Sequence, residues 1–306
     1  MIDMENYFWI MMEDGIEVYV KKWYSTEKPK AIVQLSHGMV EHINRYDTFA
    51  QFLVQQGFFV YGNDHRGHGK TGEKQGLLGY FSEKDGFAKT IKDLHAITEI
   101  IKQENPDIPL ILFGHSMGSF IARTYLQNYS SDIDGIILSG TGYFPTLTSQ
   151  IGKRIAAMLP REEASRFMNS LAFGSYNKKI RDNLTEFDWL TRDSLTVDKY
   201  IEDPHSGYTP TARFFYDLMS GLINMNNKSS NQLIRNDLPM LLISGDADPV
   251  GNYGKGLWRT AHQYKKAGLE NIKVMLFTEG RHELLNEINK EEVFLNIHNW
   301  IQKQLI

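Results

Sequence analysis

The chain has 306 residues, 42% of them hydrophobic, enough to fill one large α/β core without staples. Lysine and arginine total 33 against 37 aspartates and glutamates, a formal charge of −4; with no basic surplus to neutralise a phosphate backbone, nucleic-acid binding is not expected. Cysteine is absent, which excludes disulfides and thiolate chemistry and suits a reducing compartment.

Residues 1–15 carry Asp3, Glu5, Glu13 and Asp14 without a basic stretch, and no run of 18 apolar residues occurs anywhere. Neither a signal peptide nor a spanning helix is predicted, and the expected location is cytoplasmic. Strands are predicted over 17–24, 31–35 and 58–61, with a helix over 46–55 between the last two. A helix over 86–103 places Phe87, Ile91, Leu94, Ile97 and Ile101 on one face; a strand over 110–113, a helix over 119–129 and a strand over 135–138 follow. Such alternation predicts a mostly parallel, doubly wound sheet with helices on both faces.

Residues 142–237 show several helical stretches and no convincing strand, far more chain than usually joins two elements of an α/β unit, so they read as an inserted helical cap. Within it, 211–225 has a broad apolar face around Phe214, Leu218 and Leu222. That face either packs on the core or forms a lipophilic wall over a site. The α/β grammar resumes with a strand at 239–243, a helix at 254–266, a strand at 271–277 and a terminal helix at 291–305. The expected division is therefore 1–141 and 238–306 as catalytic core, with 142–237 inserted.

Gly114-His115-Ser116-Met117-Gly118 lies between the strand at 110–113 and a helix, the layout of a nucleophile elbow. Small neighbours let the serine take the strained turn that lifts Oγ above the sheet edge. A serine hydroxyl needs a histidine to take its proton and a carboxylate to orient that histidine. In a doubly wound sheet such groups gather beyond the carboxyl ends of the strands. The strand at 239–243 runs into Gly245-Asp246-Ala247-Asp248-Pro249, and the strand at 271–277 into Glu279-Gly280-Arg281-His282-Glu283. His262 and His298 fall inside predicted helices, leaving His282 as the base. Of the two acids, Asp248 is favoured because the following proline extends its backbone; Asp246 reads as a loop-stabilising acceptor. The oxyanion donors are expected to be the backbone N–H of Met117 and, from the turn His37-Gly38-Met39, that of Met39. Removing such a donor costs about 3 kcal/mol of transition-state stabilisation.

His37-Gly38-Met39-Val40-Glu41-His42 with Arg45-Tyr46, Asp64-His65-Arg66-Gly67-His68-Gly69, the elbow, Gly245 with Asp248, and Glu279-Gly280 with His282 together resemble the monoacylglycerol lipase and lysophospholipase branch of the α/β-hydrolase superfamily. The resemblance implies a carboxylic-ester hydrolase for lipophilic acyl esters, a small-molecule substrate class led by long-chain monoacylglycerol or lysophospholipid, without cofactor or metal, with Ser116, Asp248 and His282 as its triad. It does not cover the cap, on which selectivity depends. The same broad family includes serine aminopeptidases, which would need cap carboxylates for an α-ammonium; Glu162, Glu163, Glu202 and Asp203 are available. A non-catalytic hydrolase-fold binding protein is the remaining alternative.

Three other patterns read as bland. Gly67-x-Gly69-x-x-Gly72 matches a dinucleotide fingerprint, but no apolar period marks the helix it should open. His65 and His68 read as loop-fixing partners rather than metal ligands. Lys178, Lys179 and Arg181, with Asp182 and Glu186 nearby, read as a solvated face.

Overall fold

The computed structural model describes residues 6–25, 27–181 and 183–304; expectations touching residues 1–5, Asp182 and Leu305 lie outside these. One eight-stranded sheet runs through the molecule in the order β1-β2-β4-β3-β5-β6-β7-β8. Its strands are β1 (Tyr7–Met11), β2 (Glu17–Trp23), β3 (Ile32–Ser36), β4 (Phe59–Asn63), β5 (Leu110–His115), β6 (Gly135–Ser139), β7 (Met240–Gly245) and β8 (Ile272–Phe277). β2 is antiparallel to β1 and β4, and every later pairing is parallel. The first hairpin strand, β1, has no counterpart among the predicted elements.

The central strands are continuous apolar runs because helices cover both faces. Their side chains divide with period two: Leu110 and Leu112 of β5 join one core, Ile111 and Phe113 the other, and β7 splits likewise between Met240 and Leu242 and between Leu241 and Ile243. On one face lie α1 (Asp47–Gln55) and, after β8, the terminal helix α11 (Lys290–Gln304). On the other lie α3 (Gly86–Glu104), α4 (Met117–Tyr129) and α10 (Lys255–Ala267).

A short helix, α2 (Gly69–Gln75), does open after the Gly67-x-Gly69 pattern, contrary to the sequence expectation. Its glycines are used for close approach. A Cβ on Gly67 would meet the backbone of Tyr80, and one on Gly69 would meet the Asp64 carboxylate. Asp64 Oδ2 accepts from the Lys70 N–H at 2.7 Å, so the helix start already holds its own anion and leaves no pyrophosphate cradle.

Between β6 and β7 the chain forms α5 (Thr146–Ala157), α6 (Arg166–Phe173), α7 (Ser194–Glu202), α8 (Ala212–Met225) and α9 (Lys228–Asn231), and adds no strand to the sheet. Thr211 caps α8 by accepting from the Phe214 N–H at 3.1 Å. The apolar face of α8 packs against α5, α4 and α3, with Gly221 set against the Phe87 ring. It contributes nothing to the cavity over Ser116, so the lipophilic-wall reading of this stripe is corrected: its apolar period served core packing. No helix among the described residues is long and apolar enough to cross a membrane.

Candidate active site

Ser116 stands between the end of β5 and the start of α4 with φ 50°, a left-handed backbone that a non-glycine residue adopts only when its surroundings compel it. The turn is held by the Ser116 N–H donating to Ser139 O at 2.9 Å and by the Ser119 hydroxyl donating to Ser116 O at 2.5 Å. A Cβ on Gly114 would lie 2.6 Å from Gly118 O, and one on Gly118 would overlap the carbonyl oxygens of Ser36 and His37. Strand, helix and the β3 turn therefore approach closely only because both positions are glycine.

His282 follows β8, and Asp248 follows β7. Ser116 Oγ lies 2.9 Å from His282 Nε2, and His282 Nδ1 lies 3.0 Å from Asp248 Oδ1. With the ring proton on Nδ1 toward the carboxylate, Nε2 is free to accept from the serine hydroxyl. Asp248 is fully buried and also accepts from the Val250 N–H at 2.8 Å and the Ser244 hydroxyl at 3.0 Å. Burial pushes its carboxyl up, but His282 and these donors outweigh that and hold it below the ordinary value. Burial likewise pulls His282 down, and Asp248 outweighs it, leaving the imidazole pKa raised. Asp246 instead accepts from the Glu279 N–H at 2.7 Å, and His262 and His298 lie within α10 and α11.

The β3 turn lies beside the serine. A Cβ on Gly38 would sit 3.3 Å from Ser116 Cβ, and Met39 lines the cavity above it. Met117 is the first residue of α4, where a helix leaves its N–H without an intrahelical acceptor. His37 Nε2 accepts from the His65 N–H at 3.0 Å, so its Nδ1–H donates to Gly38 O at 2.8 Å and braces the turn. His65 and His68 are loop partners: Asn63 donates to His65 Nδ1, and His68 Nδ1–H donates to Arg66 O. The fold brings His37 against both rings, but among the described residues no group of three or more His, Asp or Glu side chains is arranged to hold a metal.

Glu41, Arg45 and Glu283 acquire a place that residue types alone did not reveal. Arg45 bridges Glu41 Oε2 at 2.6 Å and both oxygens of Glu283, while Glu41 Oε1 takes the Gly38 N–H and the Tyr46 hydroxyl. The turn beside Ser116 and the loop carrying His282 are thus joined by one buried ionic cluster. The only sequence signal for it was the occurrence of these residues inside the resembling motifs.

A cavity of about 560 Å³ opens over Ser116, with Phe173, Phe187, Trp189 and Tyr208 among its walls. The Trp189 indole lies 4.9 Å from the His282 ring, centroid to centroid. None of Glu162, Glu163, Glu202 or Asp203 lines this space; Asp203 is engaged with His42, His205 and Ser206. Lys179 of the basic group lies over the Tyr253 ring, its ammonium 3.5 Å from the centroid.

A mostly parallel eight-stranded sheet with a strained serine turn after β5, and with acid and histidine loops after β7 and β8, defines an α/β-hydrolase. The chain belongs to the Hydrolase_4 family, described as serine aminopeptidase, S33, which matches residues 27–289. It is similar to a monoacylglycerol lipase from Mycolicibacterium smegmatis, 27% identical over 296 residues and 95% of each chain. Phospholipase YtpA of Bacillus subtilis is 30% identical over 273 residues, 89% of this chain and 95% of its own. A thermostable carboxyl esterase from Bacillus coagulans, solved with glycerol, matches with a TM-score of 0.90 at 28% identity over 98% of both chains.

Proposed function

We propose that the protein is a serine carboxylic-ester hydrolase for lipophilic acyl esters of the monoacylglycerol or lysophospholipid type, with residues 142–237 as its cap. The observation that carries this reading is the hydrogen-bond chain from Ser116 Oγ through His282 to Asp248, lying at the floor of an aromatic-walled cavity. Ser116 Oγ attacks the ester carbonyl as its proton passes to His282 Nε2, and Asp248 stabilises the imidazolium. The N–H groups of Met39 and Met117 hold the oxyanion. Collapse expels the alcohol, protonated by His282, and leaves an acyl-Ser116; water, deprotonated by the same imidazole, then releases the fatty acid.

The similar proteins named as monoacylglycerol lipase, phospholipase and carboxyl esterase support the ester class. Against the aminopeptidase alternative, none of Glu162, Glu163, Glu202 or Asp203 lines the cavity, and Glu186, the cap carboxylate that does among the described residues, is exposed. Glu41 and Glu283, the buried carboxylates at the cavity, share Arg45 as their counter-ion.

The test is hydrolysis of glycerol and aryl esters of graded chain length beside aminoacyl anilides, with fluorophosphonate labelling of wild type and Ser116→Ala. Ester turnover with a long-chain optimum and labelling lost in Ser116→Ala are expected. Dominant anilide turnover would reject the ester assignment, and an unlabelled wild type would reject catalysis altogether.

A further inference from the structure

β8 is an edge strand hydrogen-bonded only to β7, so the loop that leaves it has no neighbouring strand on its outer side. Residues 188–192 of the inserted segment take that place. The His282 N–H donates to Trp189 O at 3.3 Å and the Glu283 N–H to Leu190 O at 2.7 Å, two successive rungs of an improvised ladder. Arg281 extends it, its guanidinium donating to Asp188 O at 2.6 Å and Thr191 O at 2.9 Å. Glu287, wholly buried, closes the junction from within. Its Oε1 accepts from the N–H groups of Arg281 and Arg192 at 2.8 and 3.3 Å, and its Oε2 from Arg192 Nε at 2.9 Å. Each carboxylate oxygen therefore touches the inserted segment, and one also touches the residue before His282.

We infer that Arg281 and Glu287 are positioning residues for His282: they latch residues 188–192 to the histidine loop and so keep the imidazole in line between Asp248 and Ser116. The inference rests on the ester-hydrolase reading above. Neither residue touches the cavity over Ser116, so their effect must pass through the loop. An imidazole displaced by an ångström loses on the order of a hundredfold in rate even when every reacting group is present.

The sign of a pH shift separates this role from simple electrostatics. The charged and titratable groups facing His282 are Asp248, His115 at the end of β5, and Glu41 and Glu283, the last two bound to Arg45. Deleting the Arg281 cation would by charge alone favour protonated His282 and move the acid limb of kcat/KM to higher pH. Loosening the loop would weaken the Nδ1 contact with Asp248 and move the limb to lower pH.

The experiment compares wild type, Arg281→Met, Arg281→Lys and Glu287→Gln on p-nitrophenyl butyrate across the acid limb, with thermal melts to establish folding. Expected are a kcat lowered about tenfold or more in Arg281→Met and Glu287→Gln, a limb displaced to lower pH in Arg281→Met, and partial recovery of both in Arg281→Lys. If Arg281→Met does not fold, Arg281→Gln removes the same charge and takes its place. An unchanged kcat, or a limb that stays or rises in the folded Arg281 variant, overturns the inference. An inactive wild type would overturn the ester reading instead, before any variant is compared.

Discussion

Arg45 and Glu283 meet as a two-point ion pair, one guanidinium nitrogen 2.7 Å from Oε1 and the other 2.6 Å from Oε2, and the same arginine holds Glu41. Side chains that lie 238 residues apart in sequence thereby tie the turn beside Ser116 to the loop beside His282. Arg45→Met leaves two buried carboxylates without a counter-ion, a change that costs about 3–5 kcal/mol. Urea unfolding should show a loss of that size, accompanied by a kcat at least tenfold lower because both loops slacken. A stability within about 1 kcal/mol of wild type would mean that water compensates the pair.

On the proposed mechanism, the raised pKa of His282 should set the acid side of the activity profile. The base must be neutral to accept the serine proton, so kcat/KM should rise with pH through a limb above the ordinary histidine value of 6.5. Asp248→Asn removes the charge that raises it. The limb should then move to lower pH while kcat falls about 10⁴-fold, because the ring loses both its orientation and its imidazolium partner. A limb that stays in place would show that another carboxylate orients His282.

The residues that meet at this site were legible because each follows an apolar run that reads as a strand, so chain order placed Ser116, His282 and the pair Asp246 and Asp248 at one end of the sheet, and Pro249 with the resembling motif favoured Asp248. α2 was not legible: Gly69, Gly72 and Lys70 show no apolar period, and the helix is held by Asp64 at its start and by glycines that admit neighbouring backbone. The Arg45 cluster was hidden for a different reason. Charged residues in a loop read as solvated unless the partner is known, and Glu283 lies on the far side of the inserted segment in sequence.

Stability toward acid should depend in part on the histidines buried around the β3 turn, among them His37, His65 and His68. Burial holds His37 and His68 down at about 3 and His65 well below its ordinary value. A histidine depressed in this way adds stability that is complete above its unfolded value of 6.5 and is lost as pH falls toward the folded value, since the unfolded chain binds the proton first. Within that window each contributes a slope of up to about 1.4 kcal/mol per pH unit. His68→Phe fits a site walled by Phe81, Tyr208 and Phe214, where Nε2 has no partner. Melting temperature followed from neutral to acid pH should fall less steeply in this variant than in wild type. Parallel curves would show that His68 makes no contribution to the acid sensitivity.

Gly118→Ala tests how tightly the elbow is packed. The added methyl would overlap the carbonyl oxygens of Ser36 and His37, and backbone atoms cannot step aside as a flexible side chain can. Either α4 or the β3 turn must shift, separating Met39 from Ser116. A kcat reduced by about 10²-fold or more is expected, with fluorophosphonate labelling slowed in proportion. Near-normal turnover would show that the turn tolerates the displacement and that Met39 is not needed as a donor.

The inserted segment offers a contrast between core packing and substrate contact. Phe214 on α8 is wholly buried against Phe81 and Phe215, outside the cavity, whereas Phe173 on α6 is partly exposed and lines it. Phe214→Ala should therefore cost about 3–5 kcal/mol of stability and leave the chain-length optimum of ester hydrolysis unchanged. Phe173→Ala should do the reverse, altering the optimum while melting close to wild type, because it removes a wall that an acyl chain would touch and only half-buries in the free protein. Measuring both properties on both variants separates the two roles. A shifted optimum in Phe214→Ala would restore the lipophilic-wall reading of α8, since the packing seen here gives that ring no route to the substrate.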